Sequence, residues 1–207
     1  MQIGASPDLV KLGLRIAGDE MAHADLSFRT YGAAGGTEMP RIARETLELR
    51  RHPTEPVEHD VTRVAMEVFC LGETVAVPLF KEIREGCTAP SARRCLDRVL
   101  RDEVRHRDFG WALLPWLLES SPLAPALRAL VIAELPAAFA RIRAVYAPPA
   151  AATKTRIADE DRAWGLIPPA RYGEILRRTL DRDWVPRFGK LGIDAQGAWT
   201  QGLAATG

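Results

Sequence analysis

Lysine is scarce in this chain, occurring only at positions 11, 81, 154 and 190. Arginine supplies the remaining positive charge, which reads as the codon bias of a GC-rich genome and not as a binding signal. The formal net charge is +1 at pH 7, so no overall field draws the protein to nucleic acid or to an anionic membrane. Cysteine is confined to Cys70, Cys87 and Cys95, an odd number with no C-x-x-C pair. That argues against a disulfide framework and fits three small apolar thiols in a reducing compartment. No run nears the ~20 apolar residues a membrane span needs. Met1 to Asp8 show neither a basic n-region nor an apolar h-region. The expectation is a soluble cytoplasmic protein that binds neither nucleic acid nor membrane. Sustained period-2 alternation is also missing, which leaves no signal for strands.

What remains is helical pattern. The 207 residues, 47% apolar and 27% charged, suffice for one large domain or for a domain with an appendage. Ser6-Pro7-Asp8 makes a helix start, and that helix should run to about Tyr31. Thr37 to Arg51 reads as a short, charged, exposed helix, broken by His52-Pro53-Thr54-Glu55-Pro56. A long helix is expected from about Val57 to Glu85, ended by Gly86. Pro90 opens the next, to about Leu118, and Ser120-Ser121-Pro122 caps another that ends near Tyr146. These elements make a bundle of residues 1–146. Residues 147–207 form a Pro/Ala connector (147–152), a Trp164-Gly165 turn, a helix from about Ala170 to Arg187 and a short tail. The aromatic content of this arm implies docking, on its own bundle or on a partner chain.

The most informative feature is a repeat. Asp19-Glu20-Met21-Ala22-His23-Ala24-Asp25 returns as Asp102-Glu103-Val104-Arg105-His106-Arg107-Asp108. Each copy sets a glutamate and a histidine at i, i+3, on one helix face. Leu9, Leu12, Ile16, Glu20, His23 and Ser27 share a face, as do Leu96, Val99, Glu103, His106, Gly110 and Leu113. Met66, Phe69, Glu73, Ala76 and Phe80 form a third stripe. In all three the polar residue interrupts the face that should meet the core. A lone Glu-x-x-His is usually a solvated pair. Three interrupted core stripes point instead to a shared partner inside the bundle, because a buried carboxylate persists only when paired or metal-bound. Carboxylates with imidazoles suit Fe, Mn or Zn. Asp19, Asp25, Asp102 and Asp108 are expected either behind a ligand histidine, accepting its free imidazole N–H, or at the surface, and surface salt bridges with Arg29, Arg101, Arg105 and Arg107 are the favoured reading. His52 and His59 are expected at the surface. Gly72 and Pro78, both costly inside a helix, signal either a local distortion that aims Glu73 or close packing with a mild kink.

These phrases, with Cys70-Leu71-Gly72-Glu73-Thr74, resemble the ferritin-like di-iron carboxylate superfamily, and bacterial ferritin-like domain proteins in particular. The stretch from Ala163-Trp164-Gly165-Leu166-Ile167 through Asp183-Trp184-Val185-Pro186-Arg187-Phe188 to Ile193 is similar to such proteins as well. The resemblance implies an all-α ferritin-like helical bundle with a C-terminal helical arm. It implies two iron ions per site, with Mn or Zn as alternatives. Glu20 and Glu103 would bridge the metals, His23 and His106 would each hold one, and Glu73 would bind terminally. The family's first lone glutamate has no counterpart in this sequence. Four explanations stand open: a native chain that starts further upstream, substitution by Glu134, a carboxylate lent by a partner chain, or an incomplete site.

The function implied is an oxidase or oxygenase that acts on a small organic substrate with O₂. The missing C-x-x-C pair argues against a rubrerythrin-type electron-transfer module. A ferroxidase-type protein or a non-catalytic ferritin-like scaffold is the alternative. A homodimer is expected, because a bundle short of its first ligand helix leaves apolar surface uncovered.

Overall fold

A computed structural model describes residues 3–39, 54–147 and 156–204, the side chain of Ala204 excepted. Among these residues every regular element is helical. The chain is all-α, as its missing strand signals imply, and among the described residues no helix is long and apolar enough to cross a membrane. The expected helix at 37–51 and the connector at 147–152 lie almost wholly outside the described residues.

α1 (Pro7–Ala33) starts where the sequence places it, with Ser6 Oγ accepting a hydrogen bond from the Leu9 amide at 3.3 Å. The long helix expected after Pro56 is composite. α2 (Val57–Val64) passes into a π-helical segment (Ala65–Gly72), which passes into α3 (Glu73–Gly86). α4 (Pro90–Ser120) and α5 (Ala124–Tyr146) complete the bundle. The C-terminal region holds α6 (Asp159–Ala163) and α7 (Pro169–Thr179), a second π-helical segment (Leu180–Trp184), α8 (Val185–Lys190) and α9 (Ala195–Ala204). The short tail expected beyond Arg187 is thus helical, and Ala195 and Ala198 of α9 are buried.

One core spans both regions. Leu114, Leu127, Val131, Leu135 and Phe139 of the bundle are buried together with Trp184 and Phe188 of the C-terminal helices. Each such side chain contributes roughly 1.5–3 kcal/mol on burial. The Trp184 indole N–H donates to the Cys70 carbonyl at 2.9 Å, inside the first π-helical segment. Phe139 packs against Trp184 and Trp199, with ring centroids 5.4 Å apart in each pair. The C-terminal helices therefore dock on their own bundle. Gly165, with φ +99°, turns the chain between α6 and α7, and a Cβ there would lie 2.9 Å from Ile83 Cγ2.

Two features position the site. α1 lies along α4, and the first π-helical segment crosses α4 at Gly110. A Cβ at Gly110 would lie 2.5 Å from Phe69 Cβ and 2.7 Å from the Phe69 carbonyl carbon. Only glycine permits that approach, which brings Glu73 toward the α1–α4 contact.

Candidate metal centre

The two copies of the repeat meet face to face. Glu20 and His23 on α1, with Glu103 and His106 on α4, each offer a ligand atom, and those atoms all lie within 4.8 Å of one another. His23, Glu103 and His106 are buried, whereas the Glu20 side chain is 52% exposed. The His23 and His106 ring centroids are 5.5 Å apart.

Each histidine turns one nitrogen inward and the other toward the opposite copy of the repeat. His23 Nδ1 lies 3.7 Å from Glu20 and 3.8 Å from Glu103. His106 Nδ1 lies 2.9 Å from Glu20 and 3.8 Å from Glu103. Outward, His23 Nε2 lies 3.2 Å from Asp102 and His106 Nε2 lies 3.5 Å from Asp19. The pairing is crossed, 23 with 102 and 106 with 19, so α1 and α4 run antiparallel and the halves of the site are related by a local twofold. At His23 the Asp102 carboxylate accepts from Nε2–H, which leaves Nδ1 with a free lone pair, whereas His106 Nε2 faces Asp19 without a hydrogen bond.

Asp19 and Asp102 therefore lie behind the histidines, the less favoured of the two places expected from sequence, and not in surface salt bridges. Both are buried, and two arginines clamp them. Arg105 Nη2 donates to Asp19 and to Asp102, at 2.8 Å each. Arg98 donates to Asp19 at 3.2 Å and also to Asp102. Burial raises the Asp102 carboxyl, but hydrogen bonds from Arg98, Arg105 and His23 outweigh it and bring the pKa down to about 2. Burial and Arg105 oppose one another in the same way at Asp19, with a net lowering. Asp25 and Asp108 do sit in surface ion pairs, with Arg29 and Arg107. His59 on α2 pairs with Glu55, and His52 lies outside the described residues.

The interior of the cluster is electrically unbalanced. Burial, then the Glu73 carboxylate beside it, then Glu20, push Glu103 far above the ordinary carboxylate value. Glu20 is held below its ordinary value by His106, against the effect of burial. Burial lowers the His106 pKa, but Glu20 and Glu73 more than compensate, and the ring is shifted upward. Glu103 Oε2 and both ring nitrogens of His106 are buried and make no hydrogen bond. Four candidate ligand atoms within 4.8 Å of one another, on side chains with unpartnered buried atoms, fit a cation placed among them.

Glu73 begins α3 directly after the π-helical segment and is half-buried. It is not within 4.8 Å of all four cluster atoms, but it is the charge that most affects Glu103. The local distortion inferred from Gly72 is present. Close packing does not explain Gly72, since a Cβ there would make an ordinary 3.5 Å contact with the Glu67 carbonyl. Glu134 is a correction. Its two oxygens accept from Arg63 Nε and Nη2 at 2.9–3.1 Å, which ties α5 to α2, and it is not part of the cluster. Tyr146, at the end of α5, is a neighbour that stripe analysis missed. Burial, then the charges of Glu73 and Glu103, hold its hydroxyl above the ordinary phenol value.

Comparison of the chain with protein-family models, with curated proteins and with solved structures finds no match.

Proposed function

We propose that the chain is a ferritin-like, dinuclear-metal oxidase or oxygenase that uses O₂ to oxidise a small organic substrate. The observation that carries this reading is the cluster of two glutamates and two histidines, three of the four buried, with an aspartate of the opposite helix behind each imidazole, at 3.2 Å from His23 and 3.5 Å from His106. Glu20 and Glu103 each lie beside both histidines, which suits carboxylates shared between two ions. His23 and His106 would each serve one ion, and Glu73 would add an oxygen on the α3 side. This donor set suits iron, and it also accepts Mn or Zn. Bound iron supplies the electrons that reduce O₂.

The chain's own residues set the conditions. Asp102 keeps His23 Nε2 protonated, so Nδ1 stays free to bind, and Asp19 sets a carboxylate behind His106 Nε2 at 3.5 Å. Arg98 and Arg105 neutralise those aspartates and hold them ionised. The half-exposed Glu20 leaves a route from solvent for a small molecule, while His23, Glu103 and His106 are buried. Iron incorporation and O₂ uptake test the reading together. Protein loaded anaerobically with Fe(II) should hold about two ions per chain and consume O₂, and Glu103→Ala should abolish both. Loaded iron with no O₂ uptake and no spectral change on mixing would favour the scaffold alternative.

A further inference from the structure

A second site lies away from the cluster. A cleft of about 520 Å³ separates α3 from α7. Val77 and Pro78 of α3 and Ile175 of α7 give its lining an apolar part, beside the buried Thr74 and Thr179. Lys81 of α3, Arg178 of α7 and Arg182 of the second π-helical segment stand around it. None of the three has an anionic partner among the described residues, although acids line the same cleft. Glu82 is engaged by both Arg171 Nε and Nη2, at 2.6 and 3.0 Å. Asp183 lies 3.7 Å from Arg187. Arg107, at the edge, is held by Asp108 at 2.8 Å. Only Glu85 remains uncommitted, so three free cations face one free acid. Like charges gathered at one concavity repel one another, and an anion placed among them gains attraction from all three. Guanidinium groups favour carboxylates in particular, through paired N–H donors.

We propose that this cleft binds an organic anion, with its carboxylate at Lys81, Arg178 and Arg182 and its apolar body over Val77, Pro78 and Ile175. Those apolar side chains separate such a ligand from an inorganic anion, which has nothing to place against them. The cleft backs onto the helices that carry the cluster, since Thr74 follows Glu73 and Arg107 follows His106. The proposal nevertheless needs no metal, and it stands or falls independently of the oxidase reading.

Calorimetric titration of the metal-free full chain with octanoate tests it. One saturable site per chain is expected, weakened about tenfold or more by the double substitution R178A/R182A. Both arginines are exposed, so circular dichroism and the melting temperature should match the parent. If the double variant is not folded, K81A serves instead, with the same direction of effect. An excess of inorganic phosphate should fail to displace octanoate. The proposal is overturned if there is no saturable binding, if binding ignores the cationic substitutions, or if phosphate competes on equal terms.

Discussion

At the scale of single residues, the aspartates behind the histidines matter as much as the ligands in front. Asp102 holds His23 and is itself held by Arg98 and Arg105. Replacing it with asparagine keeps the shape but removes the charge that fixes the imidazole. Metal affinity should fall by about 10- to 100-fold while the helix content stays, as a competition titration against a chelator would read. Glu134→Gln should leave the metal content unchanged, because Glu134 is spent on Arg63. It should cost about 2 kcal/mol in urea unfolding, from the loss of charge-assisted hydrogen bonds to the buried guanidinium. Glu103 gives a pH signature. Its folded-state pKa lies above the unfolded value near 4.5, so the metal-free folded state holds a proton that the unfolded state releases. The stability of the metal-free protein should therefore decline as pH rises above about 4.5, with bound metal removing the trend. A flat pH profile in the metal-free form would refute this placement of Glu103. The Glu-x-x-His residues were legible in sequence because they recur and interrupt apolar stripes. The roles of Asp19 and Asp102 were legible only as one of two alternatives, since the arginines around them fit a solvated pair equally well. What could have decided it is that the aspartate preceding each glutamate recurs in both copies of the repeat.

At the scale of elements, helix starts were readable wherever a side chain or proline determines them, as at Ser6-Pro7 and Pro90. The internal texture of the long helix from 57 to 86 was only partly readable. Gly72 marked the distortion before Glu73, but its extent over Ala65–Gly72 depends on partners from distant sequence. One is Gly110, whose missing Cβ admits Phe69 and the π-helical backbone. Gly110→Ala should destabilise the fold by roughly 1–3 kcal/mol and should lower metal occupancy by displacing Glu73, measurable by urea unfolding and elemental analysis. The other is Trp184, which satisfies the Cys70 carbonyl within that segment. Trp184→Phe keeps most of the ring packing and leaves the carbonyl bare, at a cost of about 1–3 kcal/mol. No pattern in the first half of the chain could announce that contact, because its donor lies 114 residues downstream.

At the scale of the whole molecule, the all-α class followed from period alone, and the docking of the C-terminal helices followed from their aromatic residues. The choice between self-docking and a partner chain needed three dimensions: Trp184 and Phe188 are fully buried in the chain's own core. A separate apolar stripe stays open on α1, where Leu14, Met21 and Phe28 recur every seven residues at 69%, 76% and 42% exposure. The homodimer expected from sequence would cover it, and light scattering at micromolar concentration should show twice the chain mass. A stable monomer would contradict that expectation without touching the metal site. The central claim is that the α1–α4 cluster is a metal centre, and metal content after anaerobic Fe(II) loading and desalting tests it most directly. The account predicts about two Fe per intact chain, with loss of iron from folded His23→Ala and His106→Ala. An intact chain that retains no metal, or variants that retain as much as the parent, would contradict it.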